Sequence, residues 1–242
     1  MKQITLLLLL STLIFGCKKK NEMLPSNTLD NGLVAYYPLD ATPTDMTSYS
    51  NHGVTSASPI QDRKSNTNKA YDFVQNEFQS SNIPINLKNK YTFSFWIKMN
   101  FYQDGMAVME FTKNKQCNRN PQIWQFQDSL FLTPTTESNN RIYITSLKRI
   151  KGGGMPTWNH VLWTVENDVT KMYVDGILVD TKSVSWPDLT NVDLTLGNAG
   201  NHCTGDYGAS NYHNQPSKVC IDEVRIYNRV LTKTEIDKLS LY

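Results

Sequence analysis

Short runs of apolar and aromatic residues, each closed by a turn signal, recur along the chain and commit it to a sheet architecture. The clearest run is Tyr91-Thr92-Phe93-Ser94-Phe95-Trp96-Ile97-Lys98, where Tyr91, Phe93, Phe95 and Ile97 alternate on one face and Trp96 falls on the other. A side-chain period of two belongs to a strand. Leu33–Leu39, Lys69–Val74, Glu77–Ser80, Met106–Phe111, Gln122–Phe126, Arg141–Leu147, Trp158–Val165, Asp193–Leu196 and Val219–Tyr227 are read as further strands. Lys171–Val174 and Ile177–Val179 flank Asp175-Gly176. That dipeptide predicts a two-residue hairpin, because both turn residues must take positive φ. Within Val219–Tyr227 the alternation changes phase at Asp222-Glu223, which predicts a β-bulge. The whole pattern predicts an all-β, two-sheet antiparallel jelly-roll sandwich. Only the tail reads as helix. Thr232-Lys233-Thr234-Glu235 is a capping-box pattern, and Ile236 and Leu239 would face the sandwich.

The first residues carry a different signal. Lys2, the apolar run Leu6–Leu10 and the stretch Leu13 to Gly16 are the parts of a secretory signal peptide. The apolar stretch falls short of the roughly 20 residues that span a bilayer. Ile14-Phe15-Gly16-Cys17 resembles the bacterial lipobox, although Phe15 is larger than the usual residue there. The resemblance implies removal of residues 1–16 and lipidation of Cys17 with diacylglycerol and an acyl chain such as palmitate. Residues 17–30, with Lys18, Lys19 and Lys20 followed by Asn, Ser, Thr and Pro25, are too polar to bury a core and are expected to be a tether. The expected location is the cell envelope, on a bacterial membrane and the outer one in particular, with the domain of residues 31–242 outside the cytoplasm and the lipid as its one membrane contact.

Of the 24 Lys and Arg side chains only Lys2 precedes Cys17, so the mature chain nearly balances the 22 Asp and Glu. A nucleic-acid partner would want a basic face, and none is expected. Besides Cys17 the cysteines are Cys117, Cys203 and Cys220. An oxidising compartment favours one disulfide, Cys203 with Cys220 or with Cys117. Zinc from His202, Cys203, His213 and Cys220 is the alternative, at a spacing that fits no familiar finger.

Several stretches resemble, in order, the laminin-G-like jelly roll of the concanavalin A-like lectin and glucanase superfamily. They are Gly32–Asp40, Asp45 with Ser50–Gly53, Asp62-Arg63, Ala70–Phe73, Phe93–Lys98, Trp158–Val161, Met172–Gly176 and Ile221–Leu231. The resemblance implies the fold over residues 31–242 and leaves the function to the site. It also implies one structural calcium ion between the first and last strands, held by Asp40 and Asp222 with carbonyls or water. The plainer role for Asp222, and for Asp45 and Asn51, is to hydrogen-bond turn and loop groups.

Glucanases of this superfamily set two carboxylates at alternate positions of one strand, so that both acids enter the cleft. No such run occurs here: Glu110 stands alone, and Asp222 and Glu223 are adjacent and so on opposite faces. The chain is therefore expected not to be an enzyme. Trp96, Trp158 and His160 are expected to pack in the core. The segment Gly200–Pro216 offers His202, Asp206, Tyr207, Tyr212 and His213, aromatic faces and hydrogen-bonding groups suited to a sugar, with Trp124 and Trp186 as further candidates. The expected partner is a carbohydrate or a surface protein. The alternatives are a glycan hydrolase or lyase of the same fold, and a structural or adhesive component of a surface assembly.

Overall fold

The computed structural model describes residues 28–74, 77–99, 106–113, 121–126, 129–133, 142–144, 155–199 and 219–242. In chain order the strands are β1 (Leu33–Tyr37), β2 (Val54–Thr55), β3 (Ser58–Ile60), β4 (Ala70–Asp72), β5 (Glu77–Asn86), β6 (Tyr91–Met99), β7 (Met106–Thr112) and β8 (Gln122–Phe126). Then come β9 (Ser129–Thr133), β10 (Ile142–Ile144), β11 (Met155–Glu166), β12 (Val169–Val174), β13 (Ile177–Ser183), β14 (Thr190–Ala199), β15 (Val219–Tyr227) and the helix α1 (Lys233–Leu241). A 3-10 turn, Thr28–Asp30, precedes β1.

Two sheets form the sandwich. The eight-stranded sheet runs β13-β12-β11-β6-β15-β4-β3, with β1 also paired to β15. The seven-stranded sheet runs β10-β9-β8-β7-β14-β5-β2. Every strand pair among the described residues is antiparallel. The core lies between the inner faces, where Phe93 stacks on Trp163 with ring centroids 4.5 Å apart and meets Phe111 of the other sheet edge-on at 5.3 Å. Trp186 is part of this core: it is 2 % exposed, meets Tyr91 edge-on and donates its N–H to Thr170. It is packing, not a ligand-facing residue.

Local signals set the special backbone positions. Asp175 and Gly176 turn between β12 and β13 with φ of 49° and 77°. The bulge in β15 falls between Asp222 and Arg225, with Glu223 at φ 56°. It keeps Val219 and Ile221 on the inner face before it and Val224 and Ile226 there after it. At α1, Thr232 accepts from the Glu235 N–H while the Glu235 carboxylate accepts from the Thr232 N–H. Ile236 and Leu239 bury against Leu162, Tyr173 and Tyr227, which project from the outward face of the eight-stranded sheet. Leu29 joins this cluster, so the 3-10 turn is packed under the helix. None of the helices among the described residues is long and apolar enough to cross a membrane.

Candidate functional site

Asp45 organises its loop as expected. The Asp45 carboxylate accepts from the N–H groups of Tyr36 and Thr47 through Oδ1, and from the Asn51 N–H and the Thr47 hydroxyl through Oδ2. The Asn51 carbonyl accepts from the Tyr37 and Ser80 hydroxyls. The Asp45 side chain and the Asn51 backbone thus hold the segment after β1.

Asp40 and Asp222, the residues read for calcium, each hold a cation of the chain itself. Lys69 Nζ is 2.7 Å from Asp40 Oδ2, and Arg63 Nη1 is 2.7 Å from Asp222 Oδ2. Among the described residues no group of three or more His, Cys, Asp or Glu side chains is placed to hold a metal. A guanidinium seated on the would-be ligand does not fit a calcium ion.

Trp96, Trp158 and His160 do not lie in the core between the sheets. Because Phe95 and Ile97 face inward, Trp96 faces outward, and its cross-strand neighbours Asp222 and His160 share that outward face. A row Asp222–Trp96–His160 therefore crosses three strands. Arg63, from the segment between β3 and β4, stacks its guanidinium 4.5 Å from the Trp96 ring while pairing with Asp222. Asp62 shapes that segment by accepting from the N–H groups of Lys64 and Asn66. His160 Nε2 lies 2.8 Å from Ser94 Oγ, and the His160 N–H donates to Asp175. Trp158 is half-buried with Lys98 over its ring at 5.4 Å.

A Ser–His pair invites comparison with a nucleophile and base. His160 Nδ1 has no hydrogen-bond partner, so no acid orients the ring, and both residues are 1 % exposed. Burial above all, with Arg225 and Arg63 adding repulsion, pushes the imidazole down to about 3. A neutral, sealed imidazole without an acid is a packing element. Burial first, then the neighbouring Glu223, pushes Asp222 up to about 8 even with Arg63 beside it.

The outward face of the seven-stranded sheet is different in kind. On β14, Val192, Leu194 and Leu196 are buried in the core cluster, so Asp193 and Thr195 point away from it. Their register partners are Thr112 and Glu110 on β7, and Thr195 is also opposite Gln79 on β5. Gln79, Ser80, Ser81, Thr112, Asp193, Leu194 and Thr195 line a shallow depression there, with Thr112 and Thr195 themselves largely buried. Hydroxyl, amide and carboxylate groups on a sheet surface can bind a polyhydroxylated ligand by hydrogen bonds. Beyond the pocket Glu110 is fully buried and accepts the Gln122 amide at 2.8 Å. Glu110 and Asp193 are diagonal neighbours across β7 and β14, a relation that typically spans about 7–8 Å. Sequence reasoning saw Glu110 as solitary because its acidic neighbour is 83 positions further along the chain. The signal that was available is the alternation of β14, which sets Asp193 opposite in phase to three core residues.

The remaining candidates fall elsewhere. His202, Asp206, Tyr207, Tyr212 and His213, with Cys203 and Cys117, lie outside the described residues, as does Cys17. Trp124 stands in β8, opposite Ala107 and Phe131 in register. Cys220 is buried on β15, with Asp72 and Lys98 as its cross-strand partners.

The profile of the Laminin_G_3 family, in the concanavalin A-like lectin/glucanases superfamily, matches residues 72–237. No curated protein matches the sequence. Among solved structures, the binding domain of Paraclostridial Mosquitocidal Protein 1 superposes with a TM-score of 0.64 at 17% identity, over 87% of this chain and 52% of that one. Domain 4 of AbnA, a GH43 extracellular arabinanase from Geobacillus stearothermophilus, in complex with arabinotriose, gives 0.58 at 19% identity over 86% and 98%. The binding domain of Botulinum Neurotoxin DC in complex with SialylT gives 0.64 at 15% over 88% and 52%. The chain thus spans about half the length of these toxin binding domains and nearly all of the arabinanase domain. At these identities the likeness is one of fold.

Proposed function

We propose that this chain, which belongs to the concanavalin A-like lectin/glucanases superfamily, is a lipid-anchored, non-catalytic binding module whose ligand is a glycan. The observation that carries the reading is the polar pocket on β5, β7 and β14, lined by Gln79, Ser81, Thr112, Asp193 and Thr195. Domain 4 of AbnA, in complex with arabinotriose, has the same fold and supports it. The anchor would be Cys17. His202, Asp206, Tyr207, Tyr212 and His213 would add stacking and hydrogen bonds from the segment that follows β14.

A glycan array with the purified mature domain tests the reading. Binding should appear, and Thr195→Val combined with Gln79→Ala should weaken it severalfold without loss of fold. Tyr207→Ala with Tyr212→Ala reports separately on the segment after β14. A blank array together with recovery of a protein partner would favour a structural or adhesive role.

One observation favours a hydrolase as the second reading. Glu110 and Asp193 are diagonal neighbours on one face of the seven-stranded sheet, and a pair of acids on one face is what an inverting glycosidase uses. Complete burial of Glu110 opposes it. Turnover of any array ligand, abolished by Glu110→Gln or Asp193→Asn, would replace the binding-module reading.

A further inference from the structure

We propose that the outward face of the eight-stranded sheet is the side on which this protein sits against a lipid bilayer, an inference that rests on the lipidation of Cys17. Five large apolar or aromatic side chains are exposed along this side: Met46 (62%), Tyr49 (50%), Leu178 (48%), Leu241 (84%) and Tyr242 (46%). Contacts connect them. The Met46 N–H donates to the Tyr36 carbonyl, and the Tyr49 N–H to the Thr47 hydroxyl beside it. The Arg225 guanidinium lies 4.1 Å from the Tyr36 ring and 5.7 Å from the Tyr242 ring, so it ties β1 to the end of α1. Leu241 precedes Tyr242. One residue earlier, Ser240 abuts Gly176 so closely that a Cβ there would meet its Oγ at 2.8 Å. Leu178, opposite the outward-facing Tyr173, lies two residues after Gly176 at the tip of the β12–β13 hairpin.

The chain enters the domain on this same side. The Thr28 carbonyl accepts from Arg229 Nη2 at 2.8 Å, Arg229 pairs with Glu235 in the first turn of α1, and Leu29 is buried under the helix. Cys17 is eleven residues before Thr28. Even at full extension that stretch reaches about 40 Å, and any slack brings the domain closer. A leash of that length, attached beside α1, keeps this face nearer the anchor than the far sheet. Tyrosine at the headgroup level and aliphatic tips below it are the composition of an interfacial surface. Lys18, Lys19 and Lys20 on the leash add attraction to anionic headgroups. The arrangement leaves the polar pocket of the seven-stranded sheet facing away from the membrane, toward an incoming ligand.

Hydrogen exchange on the full-length lipidated protein, bound to vesicles of phosphatidylethanolamine and phosphatidylglycerol, tests the proposal against the Cys17→Ser chain in solution. Slower exchange is expected at residues 46–49, 175–179 and 239–242 on vesicles, with residues 191–195 unchanged. Leu178→Asp with Leu241→Asp should keep the protein on the vesicles and abolish the protection at both sites. Vesicle-bound protein with no added protection would overturn the seating while leaving the anchor intact. Protection that appears only when membrane proteins are added would overturn it in favour of a protein partner. Wild-type protein that does not associate with vesicles would overturn the anchor and the seating together.

Discussion

Ser94 Oγ and His160 Nε2 lie 2.8 Å apart on the outward face of the eight-stranded sheet, in a place that solvent does not reach. On an exposed surface that pair would suggest chemistry. Here the imidazole is buried neutral, so it is a stability element with a pH dependence. The folded His160 binds its proton only near pH 3, whereas the unfolded residue binds it near 6.5. The unfolded state therefore takes up the proton first as pH falls, and stability present above about 6.5 is lost below it. One proton corresponds to about 1.4 kcal/mol per pH unit in that window. Urea unfolding from neutral to acid pH should show the decline, and His160→Gln should flatten it. An unchanged slope in the variant would place the titrating group elsewhere.

Asp222 has the opposite sign. Its folded value, about 8, lies above the unfolded 3.8, so the folded state keeps a proton that the unfolded state has released. Stability from this group falls as pH rises from about 4 to about 8. Asp222→Asn carries no such titration and should gain on the wild type as pH rises through that window. Arg63→Met, which strips the buried carboxylate of its cation, should cost about 3 kcal/mol at alkaline pH, and less in acid. Equal losses for Arg63→Met at both ends would refute the coupling between Arg63 and Asp222.

The parts of this fold that were legible in the sequence are those fixed by neighbours a few residues away. Asp175-Gly176 demanded its turn, the phase slip at Asp222-Glu223 its bulge, and Thr232 with Glu235 its helix start. What joins distant strands was not legible. Arg63 reaches Asp222 across 159 positions, and no local pattern announces the pair. Trp96 and His160 were assigned to the core because the polarity of a strand face cannot say whether a further layer covers it. Here the segment carrying Arg63 covers the Trp96 end. Val54–Thr55 and Ser58–Ile60 are too short to show a period, so β2 and β3 were missed. Ser129–Thr133 went unread although Leu130 and Leu132 alternate into the core. The polar pocket was hidden for the same reason as the Arg63 pair. It is built from β5, β7 and β14, and strand order decides which hydroxyls meet.

Gly53 gives a packing prediction. A Cβ at this position would sit 2.2 Å from the Phe78 ring, and Phe78 is fully buried edge-on against Tyr37 with centroids 4.8 Å apart. The ring cannot swing away without losing that contact. Gly53→Ala should destabilise by about 1–3 kcal/mol, the usual cost of overpacking. Adding Phe78→Leu should recover part of the loss, so the double variant should be less unstable than the sum of the two single changes. Strict additivity in a thermal-unfolding cycle would show that the loss in Gly53→Ala does not come from the Phe78 ring.

The end of the molecule offers the last prediction. The Glu235 carboxylate takes both terminal guanidinium nitrogens of Arg229, at 2.9 and 2.7 Å, and also the Thr232 N–H. The Arg229 bonds, ahead of the Thr232 bonds, hold it down to about 2. The folded carboxylate is thus harder to protonate than the unfolded one. Its contribution is complete above about pH 4.5 and is lost as pH falls through about 2. Solvent around Arg229 screens the pair, so removing it should cost about 1–2 kcal/mol, including the cap. Glu235→Gln keeps an oxygen for the Thr232 N–H but not the charge, and should lose less than Glu235→Ala. Because Arg229 also holds the Thr28 and Asn31 carbonyls, either variant should speed hydrogen exchange at residues 28–33 as well as in α1. Faster exchange confined to the helix would mean that the entry of the chain is held without Arg229.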